Sequence, residues 1–206
     1  MNPEMVNKDK TYVVAVSGAS GSVYGIRLIK ALAESAARVL VILSDAGKKV
    51  LAHEMGMDPR ESFINFMVRY GVDQSALYRV ETFSQDEIAS APASGSFIHN
   101  GMAVAPCSMK SLAAIASGYA DNLITRSCDV SLKEKRPLIL VPRETPFGIL
   151  HLENMTRAAR AGAVILPPSP AFYTGPQSME DLVDTVVARI MDHLGAEHRL
   201  TLRWGQ

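Results

Sequence analysis

Residues 11–25 read TYVVAVSGASGSVYG and run directly into IRLIKALAESA. The apolar run predicts a buried strand, and the glycines and serines after it predict a turn that opens a helix. The glycines are spaced G-x-x-G-x-x-x-G, so the turn has neither the dinucleotide fingerprint nor the Lys-Ser/Thr ending of a P-loop. Backbone N–H groups of residues 19–22 and the helix dipole suit an anion. A tight strand–helix connection with capping serines is the alternative.

The alternation of short apolar strands and longer helical patterns continues along the chain. Strands are predicted at 11–17, 38–44, 78–82, 101–105, 137–141 and 163–166, with 78–82 at a sheet edge. Helices are predicted at 22–36, 46–55, 60–70, 108–117, 121–135, 149–161 and 178–194. Apolar strands without alternation indicate a parallel sheet covered on both faces. We predict one open α/β domain over residues 1–206, with a polar segment at 1–10 and a tail at 196–206.

The helix at 178–194 has the clearest pattern. Its apolar residues recur at helical spacing, Ser178 and Asp181 form a capping-box signature, and Gly195 is placed to end it. Arg189 interrupts the apolar stripe near its predicted inner edge. A cation there needs an anionic partner.

The segment Ser84–Gly101 breaks the alternation. It is rich in Ala, Ser, Gly and Pro and has no convincing period. A loop of this length in a compact domain is usually either functional or disordered, and the sequence leaves both open.

The composition excludes several classes of protein. Lys+Arg and Asp+Glu both number 21, so the net charge is zero and argues against a broad nucleic-acid footprint. The start MNPEMVNKDK has no secretory apolar region, and no run is long enough to span a bilayer. The two cysteines, Cys107 and Cys128, form no disulfide framework or zinc spacing, and the five histidines have no metal-ligand spacing. We expect a cytoplasmic protein with reduced thiols and no metal.

Candidate site residues lie just after several of the predicted strands. At 105–111 a second strand–loop–helix junction lets Ser108 cap a helix, with Cys107 interpreted as a buried thiol rather than a nucleophile. Arg143 and Glu144 stand at the carboxyl end of the strand PLILV, where side chains reach a ligand crevice. Glu144 suits acid or base chemistry. The other cations, Arg126, Lys133, Lys135 and Arg136, form a charge run of the kind that most often covers a solvated face. Several arginines and a lysine that converge on one crevice would instead suit a phosphate-bearing substrate.

Nine stretches together resemble one known family. They are GASGSVYGIRL, ILSDAGKKVLAHE, PASGSF, APCSMKSLAAIASGYADNLITR, DVSLKEKRPLILVPRETPF, HLENM, PPSPAFY, VARI and RWG. In this order, from about Tyr12 to Trp204, they resemble the UbiX-type flavin prenyltransferases, a group that includes proteins named as small subunits of aromatic-acid decarboxylases. The resemblance implies a Rossmann-like or flavodoxin-like fold, a large homo-oligomer such as a dodecamer, and no metal.

The resemblance also implies an activity and a set of site residues. A dimethylallyl group passes from dimethylallyl phosphate (or diphosphate) to N5 and C6 of reduced FMN, and a UbiD-type decarboxylase uses the prenylated FMN. The implied FMN-binding residues are Gly18, Ala19, Ser20, Ser44, Ser108, Met109, Lys110, Ser111 and Arg143. The implied prenyl-donor residues are Ala93, Ser94, Gly95, Arg126 (from a neighbouring chain), Lys133, Tyr173, Arg189 and Trp204, whose ring would close over the site. The implied catalytic residues are Ser20, Glu54 and Glu144.

Three other functions remain as alternatives. An FMN-dependent cysteine decarboxylase of the related homo-oligomeric group would carry a P-A-S-A-N-T-like segment, but Lys110 stands here where the reacting Asn would be. A non-catalytic FMN-binding accessory subunit would not need this full set of site residues. A direct decarboxylase of hydroxybenzoates would act on an aromatic acid without a second enzyme.

Overall fold

A computed structural model describes residue 7 and residues 10–201. Its centre is one six-stranded, wholly parallel sheet. The strands are β1 (Thr11–Val16), β2 (Arg38–Leu43), β3 (Val80–Ser84), β4 (Gly101–Cys107), β5 (Leu138–Pro142) and β6 (Val164–Ile165). They lie in the order β3-β2-β1-β4-β5-β6, so β3 is at an edge as predicted. The direction of winding reverses between β1 and β4, which opens a crevice beyond their carboxyl ends.

Eight α-helices connect or follow the strands in the described part of the chain. They are α1 (Ser22–Glu34), α2 (Asp45–Met55), α3 (Phe63–Arg69), α4 (Gln74–Leu77), α5 (Met109–Ser117), α6 (Leu123–Lys133), α7 (Ile149–Arg160) and α8 (Met179–Leu194). The sequence did not predict α4, a single turn capped by Asp73. Because this turn runs up to Tyr78, β3 starts two residues later than predicted.

The helices cover both faces of the sheet with separate apolar cores. Tyr12, Val14 and Val16 of β1 pack in one core with α1, α3 and α8, whereas Val13 and Ala15 pack in the other with α5 and α6. All five side chains are fully buried. Alternate residues of a strand point to opposite faces, so burial on both sides accounts for the continuous apolar run.

The last helix begins and ends as its sequence predicted. The Ser178 side chain accepts from the Asp181 N–H, the Asp181 side chain accepts from the Ser178 N–H, and Gly195 closes the helix at φ 65°. At 16 residues it is the longest helix in the described part of the chain. No helix among the described residues is long and apolar enough to cross a membrane.

Strand β4 runs two residues further than predicted. It includes Pro106 and Cys107 because Cys107 pairs with Pro142 of β5 after an irregularity in register that starts at Val104. A proline has no N–H to donate to a ladder, and such an irregularity is where strands tolerate one. The extension brings the β4–α5 junction up to the crevice.

Gly25 lets α1 lie directly against β4. A Cβ at this position would overlap the carbonyl oxygen of Ala105, which is backbone and cannot move aside. We therefore expect Gly25→Ala to lower the free energy of unfolding by about 1–3 kcal/mol or more, in the range found for overpacking. Urea unfolding measures this loss. Gly148→Ala is the control, because a Cβ at Gly148 meets nothing closer than His151 Nδ1 at 4.0 Å; equal losses in both variants would contradict the steric explanation.

Candidate functional site

Ser17 joins the two loops that form the crevice. Its hydroxyl donates to the carbonyl oxygen of Pro106 at 2.8 Å and accepts from the N–H of Ser108, also at 2.8 Å. The residue is 1% exposed. The Ser17 hydroxyl is therefore committed to fastening β1 to the β4–α5 junction, rather than to a ligand.

The anion at the start of α1 is a side chain of the protein itself. Glu54, near the end of α2, accepts from the N–H of Gly21 at 3.0 Å and from the N–H of Ser22 at 2.9 Å. Burial alone would raise the pKa of Glu54, but hydrogen bonds from the Ser20 side chain and from the two amides outweigh it and lower that pKa. Glu54 is thus a carboxylate at neutral pH, and these two amides are not open to a ligand phosphate while it is there.

Arg143 connects the ends of β5 and β1. Its Nε donates to the carbonyl oxygen of Ser20 at 3.1 Å, so Ser20, Glu54 and Arg143 form one group at the crevice. Glu144 comes directly after Arg143 but is exposed, and its Oε1 accepts from the N–H of Thr145 at 3.0 Å. The structure therefore brings three of these four predicted residues into contact and leaves the Glu144 carboxylate at the solvent side of the same strand end.

A cleft of about 480 Å³ lies at the carboxyl ends of β1, β2 and β4, and its lining includes Gly18 but not Ser20, Glu54 or Arg143. Two helix N-termini flank it: Ser44 caps α2 by accepting from Gly47 N–H, and Ser108 caps α5 by accepting from Ser111 N–H. The cleft is lined by five of the predicted FMN residues, namely Gly18, Ser44, Ser108, Lys110 and Ser111. Helix N-termini with capping serines suit the phosphate of a mononucleotide.

Sequence reasoning missed the far wall of this cleft. It is made by Gln85, Tyr119, Asp121, Asn122 and Thr125. The Leu123 N–H donates to the Gln85 carbonyl oxygen at 2.7 Å, which closes the wall between β3 and α6. The capping box of Asn122 with Thr125 was readable as a helix start, but nothing in the sequence indicated that this helix start faces Ser108.

The long segment after β3 is ordered along α6. Arg126 Nε donates to the carbonyl of Ala93 at 3.2 Å, and Arg136 donates to the carbonyls of Gly95 and Phe97, each at 2.7 Å. A Cβ on Gly95 would lie 2.5 Å from a carboxylate oxygen of Glu134. Of the two alternatives for this segment, disorder is wrong, because charged donors hold three of its carbonyls.

Lys133, the last residue of α6, lies next to this segment. Its Nζ is 3.2 Å from Glu134 Oε1, and it would be 3.2 Å from a Cβ on Gly95. Of the predicted prenyl-donor residues, Ala93, Gly95, Arg126 and Lys133 are therefore neighbours within one chain. The hydroxyl of Ser94, between them, is 2.8 Å from that of Ser96.

Arg136→Ala should release the 93–97 segment without opening the 480 Å³ cleft. The two lost bonds come from a charged donor, for which we expect a loss of about 1.5–3 kcal/mol each, enough for amide exchange about tenfold faster or more. Hydrogen exchange at Phe97, whose N–H donates to the Ser94 carbonyl, measures it. Arg79→Ala is the control, since the Arg79 side chain donates to the Ser75 carbonyl, away from this segment. Unchanged exchange at Phe97 in Arg136→Ala would show that Arg136 does not hold the segment in place.

Arg189 lies on the other side of the sheet from Lys133, because α8 packs in one core and α6 in the other. The expectation that Arg189 is at the inner edge of the α8 stripe is wrong: its side chain is 62% exposed, and it pairs with Asp192 at 2.8 Å. Ala188 and Ile190, its neighbours in the sequence, are the buried ones. Tyr173 is 72% exposed. Trp204 falls outside the described residues.

Neither Lys133 nor Arg189 lines the 480 Å³ cleft of its own chain. A helix that follows a parallel strand starts at the carboxyl edge of the sheet and returns to the amino edge. Lys133 ends α6 just before β5, and Arg189 is near the end of α8, so both lie toward the amino edge. Strands of six residues separate the two edges by about 20 Å. One chain therefore does not bring these cations to its own cleft.

No group of three or more His, Cys, Asp or Glu side chains that could hold a metal occurs among residues 7 and 10–201. Both cysteines are buried free thiols. Burial raises the pKa of Cys107 to about 12, which makes it a poor nucleophile at neutral pH.

The fold, the crevice and the cleft define a parallel α/β protein with a mononucleotide site. The model of the Flavoprotein family matches residues 2–191. Among curated relatives, the flavin prenyltransferase UbiX of Pseudomonas aeruginosa is 44% identical over 94% of this chain and 93% of the relative. That of Archaeoglobus fulgidus is 45% identical over 94% of this chain and 99% of the relative. The chain belongs to the UbiX flavin prenyltransferase family.

Solved structures agree with this assignment. AnUbiX (PadA1), in complex with FMN and dimethylallyl pyrophosphate, has a TM-score of 0.84 and 38% identity over 96% of this chain and 98% of that chain. A dodecameric FMN-dependent UbiX-like decarboxylase from Escherichia coli O157:H7 has a TM-score of 0.82 and 37% identity over 95% and 100%. The FMN-dependent cysteine decarboxylase TvaF, at 17% identity and a TM-score of 0.60 over 91% and 99%, shares the fold alone.

Proposed function

We propose that this chain is a flavin prenyltransferase that joins a dimethylallyl group from dimethylallyl phosphate to N5 and C6 of reduced FMN. The observation that carries the proposal is the identity of 41–45% to relatives of that name over nearly the whole chain. The two-helix cleft supports it, because its donors suit a single phosphate rather than a dinucleotide. A UbiD-type decarboxylase is the proposed recipient of the product.

The residues at the crevice fit an FMN acceptor. Ser44, Ser108 and Ser111 would hold its phosphate at the two helix starts, and Arg143 would lie at the ring, with Gly18, Ala19, Ser20, Met109 and Lys110 completing the site. Reduced FMN supplies the nucleophilic nitrogen. Ser20 and the exposed Glu144 carboxyl would handle the proton transfer at the flavin during ring closure, while the ionised Glu54 holds the Ser20 hydroxyl in place by a hydrogen bond.

The prenyl phosphate needs cations that one chain holds away from its own cleft. We infer that a neighbouring copy places Lys133, Arg126 and the 93–95 segment, and another Tyr173, Arg189 and Trp204, around the cleft of the first. These donors would stabilise the charge that develops on the departing phosphate. The large homo-oligomer, a dodecamer in this proposal, is thus a requirement of the site.

Ser108→Asp tests where the FMN phosphate binds. Asp is as good a helix cap as Ser, so α5 should survive, but its charge would face the phosphate. We expect FMN affinity to fall about tenfold or more, as for the loss of a charge-assisted contact. Flavin fluorescence titration measures it. Ser62→Asp makes the same change at the cap of α3, away from the cleft, and should leave FMN affinity intact. If Ser108→Asp also binds like the parent, the phosphate lies elsewhere.

Mass spectrometry of the flavin tests the activity itself. The protein is incubated anaerobically with reduced FMN and dimethylallyl phosphate, and separately with the diphosphate. A flavin heavier by one prenyl unit, formed only with protein and donor, is the expected result. Decarboxylation of a hydroxybenzoate by the protein alone would favour the direct-decarboxylase alternative, and oxidation of a C-terminal cysteinyl peptide would favour the cysteine decarboxylase. Unchanged flavin together with tight FMN binding would indicate the accessory subunit.

The proposal includes a cytoplasmic location. Both cysteines are free thiols, which is the usual state in a reducing compartment.

Delivery of the product to a decarboxylase is measured directly in a mixed assay. An apo-decarboxylase of the UbiD type should gain activity when mixed with this protein, reduced FMN and the prenyl donor, and should gain none when the donor is left out.

A further inference from the structure

Three side chains at the end of α8 form a chain of hydrogen bonds. Arg189 Nη1 donates to Asp192 Oδ2 at 2.8 Å, and the other carboxylate oxygen, Oδ1, is 3.1 Å from His198 Nε2. Arg189 and Asp192 are one turn apart on the helix, whereas His198 comes from the segment after it. The contact between Asp192 and His198 therefore depends on the chain reversing its direction after α8.

The reversal is built into the helix end. Gly195 adopts φ 65°, and the Ala196 N–H returns to the carbonyl of Met191 at 2.9 Å. The Leu200 N–H donates to His198 Nδ1 at 3.4 Å, so this nitrogen is an acceptor and the proton is on Nε2. His198 Nε2 is thereby oriented as a donor to Asp192.

The burial of the three side chains decides what the arrangement does. An exposed ion pair along one helix contributes little order by itself, because both side chains keep their freedom and water screens the charges. Here the side chains of Arg189, Asp192 and His198 are 62%, 23% and 4% exposed. The buried histidine holds the carboxylate in place, and the carboxylate then holds an arginine whose tip reaches solvent.

We propose that Asp192 and His198 are positioning residues that orient Arg189 toward the phosphate of the prenyl donor. This inference rests on the proposed function. Asp192 engages Nη1, and a guanidinium has five N–H donors, so a second edge is available for two parallel bonds to a phosphate. An open surface pocket lies beside Arg189 and Asp192 and is also lined by Gly195 and Glu197.

A double-mutant cycle tests the inference. Asp192→Asn and His198→Phe are made in the parent and in Arg189→Ala, and KM for dimethylallyl phosphate and kcat are measured for each. In the parent we expect KM to rise about five- to tenfold, within the range of coupling between contacting residues, while FMN affinity holds. In Arg189→Ala the same changes should have no further effect. His198→Gln, which retains an N–H donor, should recover much of the parental KM.

The controls separate positioning from stability. His193→Phe changes the exposed histidine on the last turn of α8 and should leave KM as in the parent. Thermal melts accompany every variant, and Asp192→Asn serves where His198→Phe does not fold. Equal KM increases in both backgrounds would show that the two residues act only on the fold and would overturn the inference.

Calorimetric binding of dimethylallyl phosphate, run through the same cycle, separates this inference from the proposed function. The parent protein could make no prenylated flavin and still bind dimethylallyl phosphate, with the changes at Asp192 and His198 weakening that binding only when Arg189 is present. This result would refute the prenyltransferase proposal and still support the orientation of Arg189. A parent that neither binds nor turns over the donor would refute both.

Discussion

Glu144→Gln is expected to slow formation of the prenylated flavin by about 10²-fold or more, the usual scale for general acid–base assistance. Gln keeps the size of the side chain and an oxygen that can accept from the Thr145 N–H, as Glu144 Oε1 does at 3.0 Å. It removes the ionisable carboxyl, and with it the negative charge and the ability to take up and release a proton. Single-turnover assays with the flavin product quantified by mass spectrometry measure the rate, and FMN affinity should change little.

Glu153→Gln supplies the matched control. Glu153 is an exposed glutamate on α7, in the helix that follows the Glu144 loop, and its neutralisation should leave the rate unchanged. Prenylated flavin formed at the parental rate by Glu144→Gln would move the proton transfer to the Ser20–Glu54 pair or to the leaving phosphate. In that case Glu144 would serve only the loop that carries Arg143.

Arg189→Ala should separate the two anion sites. The variant loses a charged donor to the prenyl phosphate, a loss of about 1.5–3 kcal/mol, which corresponds to use of dimethylallyl phosphate weakened by roughly 10- to 100-fold. FMN binding should survive, because Ser44 and Ser108 are on different helices and at the other edge of the sheet. Steady-state kinetics in the donor and fluorescence titration of FMN measure the two effects independently.

Two checks accompany this variant. Arg189→Ala leaves Asp192 with His198 as a partner, so thermal melts should show a small change at most. Arg160→Ala removes an exposed arginine from the last turn of α7 and should alter neither ligand. If Arg189→Ala weakened both ligands equally without unfolding, the division into two anion sites would be wrong.

Glu54 illustrates how a site can differ from its sequence signal. The glycine-rich turn after β1 predicted an anion at the start of α1, and an anion is there, but it is the Glu54 carboxylate. Its bonds to Gly21 and Ser22 meet the same unsatisfied amides that a ligand phosphate would meet. Sequence pattern can identify the free amides of a helix start, and it cannot identify which anion reaches them.

The sequence by itself determined the elements that depend on near neighbours. Apart from α4, the alternation of strands and helices was predicted correctly, as were the caps at Ser108 and Ser178, the stop at Gly195 and the crevice loops after β1 and β4. Hydrophobic period, capping and turn chemistry act over a few residues, so a local pattern is enough to predict them. The family resemblance added names and roles to those positions.

Only the tertiary structure decided which of these residues meet. The strand order sets Ser17 against Ser108 and Arg143 against Ser20, and it places the Lys133 and Arg189 cations on opposite faces and away from the cleft. The contacts from Arg136 to the 93–97 segment and from His198 to Asp192 likewise depend on where the chain returns. Such contacts join residues from separate elements, and their geometry results from packing two cores around one sheet, which no local pattern encodes.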